Sequence, residues 1–441
     1  MHPLEMQYGP VDGWIILLLM GGLSISFFIY QVVKATRLVM LGAPDNRFDS
    51  WGIRIKEMLV GWLGQKKVLR DKVAGTMHVL MFWGFLMLGS DMLDLVSANY
   101  FSDKILPEFL NDPWNGIVEL GYMTALLGAL AALTRRVLFT PEKLKGKSQL
   151  EGNFILVLIL TITSTSFIIE SSENPSSIWE PLGHWVSGLG LSENFIVASY
   201  WAHMISICCF LVLIPVSKHM HLVMAIPNVF FHDTQALGKM RPLAIGDDGK
   251  AVPLEDLDID SFGVSTFDQY TWRQIIDGWS CTSCARCQDV CPAYESGKGL
   301  NPMQVIHDVR NYANEYAPIL LKGENPEETM LARITSEAVW ACTTCNACVD
   351  ICPLYIEHVP KLTELRRNAM METMDYPEEL NVAMGNLESA SNPYGFGPHE
   401  RADWASDLDV KVGQPAEYIY FVGCAASFDE RNQKVARATI S

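Results

Sequence analysis

WSCTSCARCQDVCP at residues 279–292 and WACTTCNACVDICP at residues 340–353 are one phrase written twice. Each carries the run Cys-x2-Cys-x2-Cys-x3-Cys-Pro: Cys281, Cys284, Cys287 and Cys291 in the first, Cys342, Cys345, Cys348 and Cys352 in the second. Three close cysteines wrap three irons of a cubane and the remote fourth serves the other cluster, while the proline after it lacks an N–H and turns the chain away. The spacing predicts two [4Fe-4S] clusters with crossed ligands. Cys281, Cys284, Cys287 and Cys352 hold one; Cys342, Cys345, Cys348 and Cys291 hold the other. A structural zinc would draw one Cys-x2-Cys from each of two knuckles and leave four cysteines idle.

Between the repeats, NPMQVIHDVRNYANEY (residues 301–316) reads as an Asn-capped helix with proline directly after the cap. The segment 241–391 is therefore expected to be a helical twin [4Fe-4S] ferredoxin domain. Eight cysteines already complete two clusters, so His307 and His358 are expected to hydrogen-bond rather than ligate.

Of the 441 residues, 49% are hydrophobic and 19% charged, which excludes a disordered or collagen-like chain. Residues 1–240 hold 17 Lys and Arg against 19 Asp and Glu, and residues 241–441 hold 16 against 31. Nearly all of the net charge of −17 thus lies in the second half. Phosphate repels such a surface, so nucleic acid is not an expected partner. A cationic or cofactor-carrying protein fits better.

The first half reads as membrane. Gly13 to Val33 carries no charge and, at about 1.5 Å per residue, can cross a hydrocarbon core of roughly 30 Å. Four more apolar segments follow, at 73–95, 116–133, 153–169 and 195–216, making a five-span domain over residues 1–240. Nine Lys and Arg lie between the first two spans and five between the third and fourth, whereas the alternate loops hold almost none. The positive-inside rule then places the N-terminus outside and everything after the fifth span in the cytoplasm. Thiols there stay reduced, which disfavours disulfides. Trp114, Tyr122, Trp185, Tyr200 and Trp201 fall on the outer side as an aromatic belt.

Histidines in a bilayer are costly unless they face a partner. His78 lies about one turn inside the second span. His203 and His221 are eighteen residues apart, which in an unbroken helix is five turns of about 100° steps and roughly 27 Å, on one face. On that reading His219 points about 160° away from His203. His78 and His221 share one depth, where two imidazoles from facing helices suit a six-coordinate b-type haem. A haem at the depth of His203 would want a second ligand near Leu88, so quinone contact, haem ligation and a structural hydrogen bond all stay open for His203. Glu119 and Asp91 are further polar candidates for a quinone pocket. Cys208 and Cys209, within the fifth span, are expected to pack as small apolar residues.

GTMHVLMFWGF (residues 75–85) and HMISICCFLVLIPVSKHMHL (residues 203–222) resemble the membrane cytochrome b subunit of respiratory nitrate reductases and its relatives in heterodisulfide reductases, over roughly residues 10 to 232. In that family the second and fifth helices each supply two haem histidines. Here His203 and His221 match in the fifth and His78 alone in the second. The resemblance implies an inner haem on His78 and His221 and leaves an outer one short of a ligand.

Residues 392–415 are rich in Gly, Pro and Asp and read as a linker. EYIYFVGCAASFDERNQKVARATIS (residues 417–441) then reads as a buried strand, a Gly-Cys turn and the start of a helix. It resembles the first half-motif of the CCG domain of heterodisulfide reductase D-type subunits, whose complete module adds further cysteines downstream of a residue such as Cys424. Residues 392–441 are accordingly expected to be a linker and the truncated start of an α/β CCG domain, in a fragment of a longer protein or in a site finished elsewhere.

This order of modules resembles the membrane-bound electron-transfer-flavoprotein:menaquinone oxidoreductases of bacteria. The resemblance implies a multi-pass protein of a prokaryotic cytoplasmic membrane. Electrons would pass between reduced electron-transfer flavoprotein, or another carrier docking on the acidic surface, and menaquinone, through two clusters and haem b. A heterodisulfide-reductase-like thiol/disulfide enzyme and a pure relay subunit of a larger complex are the alternatives. No Gly-rich phosphate loop or flavin motif is evident.

Overall fold

The computed structural model describes residues 3–101, 111–139, 147–172, 175–176, 178–243, 251–256, 262–410 and 413–440. The chain is mainly helical and forms two compact units, Met1–Asn368 and Ala369–Ser441.

Five long apolar helices open the first unit: α1 (Gly13–Val39), α2 (Lys72–Phe101), α3 (Asn111–Leu138), α4 (Lys147–Glu170) and α5 (Glu193–Leu213). Each contains a stretch long and apolar enough to cross a bilayer, at the five places expected. Packing follows the order α2, α3, α4, α5, α1. Their outward faces leave Leu18, Leu19, Leu23 and Ile29 exposed, as a lipid-facing helix requires. Small residues let α2 and α3 approach closely. A Cβ at Gly84 would stand 2.7 Å from the Gly121 carbonyl oxygen and 2.8 Å from Ala125 Cβ. A two-stranded hairpin, Gln7–Tyr8 with Val11–Asp12, precedes α1 and is tied to α5 by the Trp201 indole N–H donating to Tyr8 Oη at 2.7 Å.

The fifth span departs from the unbroken helix assumed above. α5 ends at Leu213, Ile214–Val216 tighten into a 3-10 turn containing Pro215, and Ser217 is extended at φ −117°, ψ −178°. A second 3-10 turn, Lys218–Met220, leads into α6 (His221–Phe230). Proline removes an intrahelical donor, and Ser217 caps the new start by accepting from the His219 N–H at 3.1 Å. Helical phase therefore does not carry from His203 to His221 or to His219, and the phase argument used for both is corrected.

Short helices make up the cysteine-rich part: α7 (Trp272–Ser280), α8 (Arg286–Asp289), α9 (Pro302–Glu315), α10 (Ala347–Ile351) and α11 (His358–Asn368). Thr271 and Gln274 close a reciprocal capping box on α7. Asn301 Oδ1 caps α9 by accepting from the Met303 and Gln304 N–H groups, with Pro302 next, as the sequence predicts. Buried charges join this part to α6 and to the connection after α1. Arg273 donates to Asp277 at 2.8 Å and to the carbonyls of Asn228, Phe231 and Tyr355, and the Lys361 ammonium also binds Asp277. Arg47, from the connection after α1, donates to Glu357 at 3.0 Å.

In the second unit, α12 (Glu379–Ala390), a 3-10 segment at Pro398–Ala405, α13 (Cys424–Phe428) and α14 (Glu430–Ile440) pack loosely. Helix does begin at Cys424 after Gly423. Residues 419–423 form no strand, and Tyr418, Ile419 and Phe421 are 84%, 89% and 91% exposed, so the buried strand expected here is corrected. A strand is buried only when neighbours pair with and cover it, and among the described residues none does.

Candidate functional site

The two cysteine loops repeat in backbone as well as in sequence. Ser283 and Ala285 have φ of 54° and 60°, and Thr344 and Asn346, at the same places in the second loop, have 54° and 60°. Left-handed backbone at four non-glycine residues is held only when the surroundings over-determine it, and it is common where a loop wraps a ligand. Each loop also turns an amide inward: the Thr344 N–H donates to Cys342 Sγ at 3.4 Å, and the Ser283 N–H serves Cys281 in the same way.

Space sorts the eight cysteines into two sets drawn from both repeats. Cys287 lies near Cys352, Cys281 and Cys284, and Cys348 near Cys342, Cys291 and Cys345; the two sets meet at Cys287 and Cys348, which share a buried cluster with Val359. Cys281 and Cys352 share one buried cluster with Ile306, Leu354 and Ile356. Among the described residues no three His, Cys, Asp or Glu side chains converge tightly enough for a single metal ion. Burial pushes the Cys281 thiol up to about 11 and Cys352 up to about 12, and raises Cys287, Cys348 and Cys342 as well. Loading such sites with metal therefore releases protons. Positive charge stands by in Arg310 beside Cys281, Arg366 beside Cys342 and Lys67 beside Cys352.

The first set is seated against the membrane helices. Ala225 of α6 lies in the Cys281–Cys352 cluster, and Trp62, from the π-helical turn Met58–Leu63, packs against it. Trp62 meets Phe82 of α2 edge-on at 5.4 Å between ring centroids, and Phe82 stacks on His78 at 6.4 Å. Arg286 clamps the same place by donating to the Lys67 and Val68 carbonyls at 3.0 and 3.1 Å. In the second set Cys345 is exposed, beside a shallow pocket formed with Leu237, Gly238 and Asn346, while Cys291 and Cys348 are buried.

His78 and His221 lie near enough for charge on one ring to act on the other. His78 Nδ1 is buried without a hydrogen-bond partner among the described residues. His221 Nδ1 donates to the Lys218 carbonyl at 2.9 Å, which fixes the tautomer with Nε2 as the unprotonated nitrogen. An unpartnered imidazole near one whose Nε2 is left free is a donor set that fits a haem iron, and His219 also lies within electrostatic reach of His78. His219 is also present, its ring 5.8 Å from that of His221 and its Nδ1 3.2 Å from Ser217 Oγ. His203 is elsewhere, with Nδ1 held by Thr165 Oγ1 at 3.0 Å and the Ile162 carbonyl at 3.1 Å. Glu119 accepts from the Leu182 N–H at 2.6 Å. The Asp91 side chain lies outside the described residues.

The 4Fe-4S dicluster domain family matches residues 273–353. Over its full length the chain is 28% identical to the EtfAB:quinone oxidoreductase of Syntrophomonas wolfei, covering 68% of that protein. Over 96% of its length it is 27% identical to the probable iron-sulfur-binding oxidoreductase FadF of Bacillus subtilis, covering 66%. The resemblance drawn from the motifs holds along the whole chain. The D-type component of a dihydromethanophenazine:CoB--CoM heterodisulfide reductase from Methanosarcina mazei is 29% identical over 38% of this chain and 42% of its own. The chain spans about two thirds of the length of the first two relatives. No solved structure matches it.

The buried network of Arg273, Asp277, Glu357 and Lys361 was not anticipated from the sequence. The i,i+4 spacings of Arg273 with Asp277 and of Glu357 with Lys361 were its only signal.

Proposed function

We propose that the chain is the electron-carrying core of a membrane oxidoreductase that links a cytoplasmic donor, reduced electron-transfer flavoprotein, to menaquinone. The observation that carries this reading is the run of contacts from Cys281 and Cys352 through Trp62 and Phe82 to His78. When bound, two [4Fe-4S] clusters and a haem b supply one-electron couples that need no proton at each transfer.

The chain's residues would serve those groups in distinct ways. Cys281, Cys284, Cys287 and Cys352 hold one cluster; Cys342, Cys345, Cys348 and Cys291 hold the other. His78 and His221 would hold an inner haem, with the Lys218 carbonyl orienting His221. Arg310, Arg366 and Lys67 offset the negative charge of the ligated thiolates. Trp62 and Phe82 fill the junction with rings and keep water from it. The exposed Cys345 edge is where a soluble carrier gains access.

The distribution of Lys and Arg supports a cytoplasmic location for this edge and an N-terminus outside. The donor assignment is supported by similarity to the EtfAB:quinone oxidoreductase. The Ile162 carbonyl and Thr165 hold His203 by Nδ1 and, as at His221, leave Nε2 free, so structural, quinone-contact and haem-ligand roles all stay open there.

The test is to purify the full chain in detergent, add flavoprotein reduced by its own substrate, and follow the haem absorbance and menaquinone consumption. Reduction of both is expected. Reduction by dithionite but never by the flavoprotein would overturn the donor, and absence of a haem spectrum would overturn the inner site.

A further inference from the structure

The two cysteine loops match in backbone but not in what presses on them. Ile306 of α9 packs in the Cys281–Cys352 cluster, and the next residue, His307, brings its imidazole onto the first loop. His307 Nε2 lies 3.0 Å from Ser283 Oγ and 3.7 Å from Cys281 Sγ.

The second loop has no such neighbour among the described residues. Arg310 beside Cys281 and Arg366 beside Cys342 mark equivalent places on α9 and α11. Three residues before Arg366 stands Thr363, whose hydroxyl donates back into its own helix at the Val359 carbonyl, 3.0 Å away. Thr344, in the place of Ser283, donates its hydroxyl to the Thr343 carbonyl at 2.8 Å. Among the described residues, therefore, one set of cysteines has an imidazole nitrogen within hydrogen-bond reach of one of its sulfurs and the other does not.

Hydrogen bonds to the sulfurs are one of the levers that set the potential of an iron–sulfur cluster, because added negative charge spreads onto those sulfurs. We propose that His307 is a positioning residue for the first cluster. Its Nε2–H, shared between Ser283 Oγ and Cys281 Sγ, stabilises the reduced state of the cluster held by Cys281, Cys284, Cys287 and Cys352, making it the easier of the two to reduce. The inference rests on the two-cluster reading above. In the step it biases, one electron leaves the cluster with the exposed Cys345 and enters the one seated against the membrane helices; all eight thiolates stay ligated and no proton moves. Electrons are drawn toward the bilayer by an asymmetry of one side chain.

The experiment is an EPR-monitored redox titration of the full chain in detergent, with iron determined on the same samples. The wild type should hold about eight irons per chain and give two resolvable signals. In His307→Leu the signal that Cys352→Ser removes should move to lower potential while the signal that Cys345→Ser removes stays put. A tenfold change in the reduced-to-oxidised ratio is expected, about 59 mV for a one-electron couple. His307→Gln, which keeps an N–H at similar reach, should show a smaller shift of the same sign and guards against a leucine variant that fails to load. Thr363→Ala should move neither signal. Eight irons with both signals unmoved, both moved together, or the Cys345-dependent signal moved would overturn the role of His307 alone. About four irons in the wild type would overturn the two-cluster reading and this inference with it.

Discussion

Cys352, the last cysteine of the second repeat, is buried in one cluster with Cys281, the first cysteine of the first repeat. On the proposed two-cluster reading, each repeat lends its remote cysteine to the cluster of the other.

This exchange makes a genetic prediction. Cys281→Ser and Cys352→Ser should damage the same cluster and give the same residual EPR spectrum, despite their distance in sequence. Cys291→Ser and Cys342→Ser should share the other spectrum. Unlike spectra within a pair would show that each repeat keeps its own fourth ligand.

The haem ligands are tested by His78→Ala and His221→Ala, each of which should remove the haem b absorbance. His219→Ala should keep it. Since α5 breaks at Pro215 and His219 lies beside His221, the pyridine haemochrome content of the three variants decides the matter. Loss with His219→Ala and retention with His221→Ala would exchange their roles.

Asp277 joins the cysteine-rich part to itself and, through Arg273, to α6. Burial alone would push its carboxyl up, but Arg273 and Lys361 outweigh burial and hold it well below the usual carboxylate range. Its contribution to stability is therefore present above the ordinary carboxylate value of about 4 and is lost as pH falls toward the depressed one. Asp277→Asn leaves two buried cations short of an anion and should cost about 3–5 kcal/mol. Thermal unfolding in detergent should then occur far below the wild-type temperature; an unchanged midpoint would place the anchoring elsewhere.

Charge on the second half predicts a salt effect. If the flavoprotein docks by a basic patch on the acidic face, its rate of cluster reduction should fall steeply as ionic strength rises, since screening sets in over about 8 Å at physiological salt. Reduction by a small uncharged reagent should barely respond. Equal salt dependence for both would remove electrostatic docking.

What sequence alone determined here is local. Cysteine ligands need only a short loop of the right length, so the two iron–sulfur motifs were legible from spacing, and five spans were legible because a bilayer imposes length and apolarity on each helix separately. The Asn301 cap with Pro302 is local in the same sense. Only the tertiary structure decided how these pieces meet. The extended Ser217 after Pro215 cancelled a phase relation that holds for an unbroken helix, and brought His219 beside His221. Residues 418–421 have the composition of a buried strand, yet burial depends on neighbours that composition does not supply. The pairing of Arg273 and Lys361 on Asp277, the seat of Trp62 against the first cysteine set, and the contact of His307 with Cys281 all depend on how separate elements pack. Such contacts follow from packing, which no local pattern encodes.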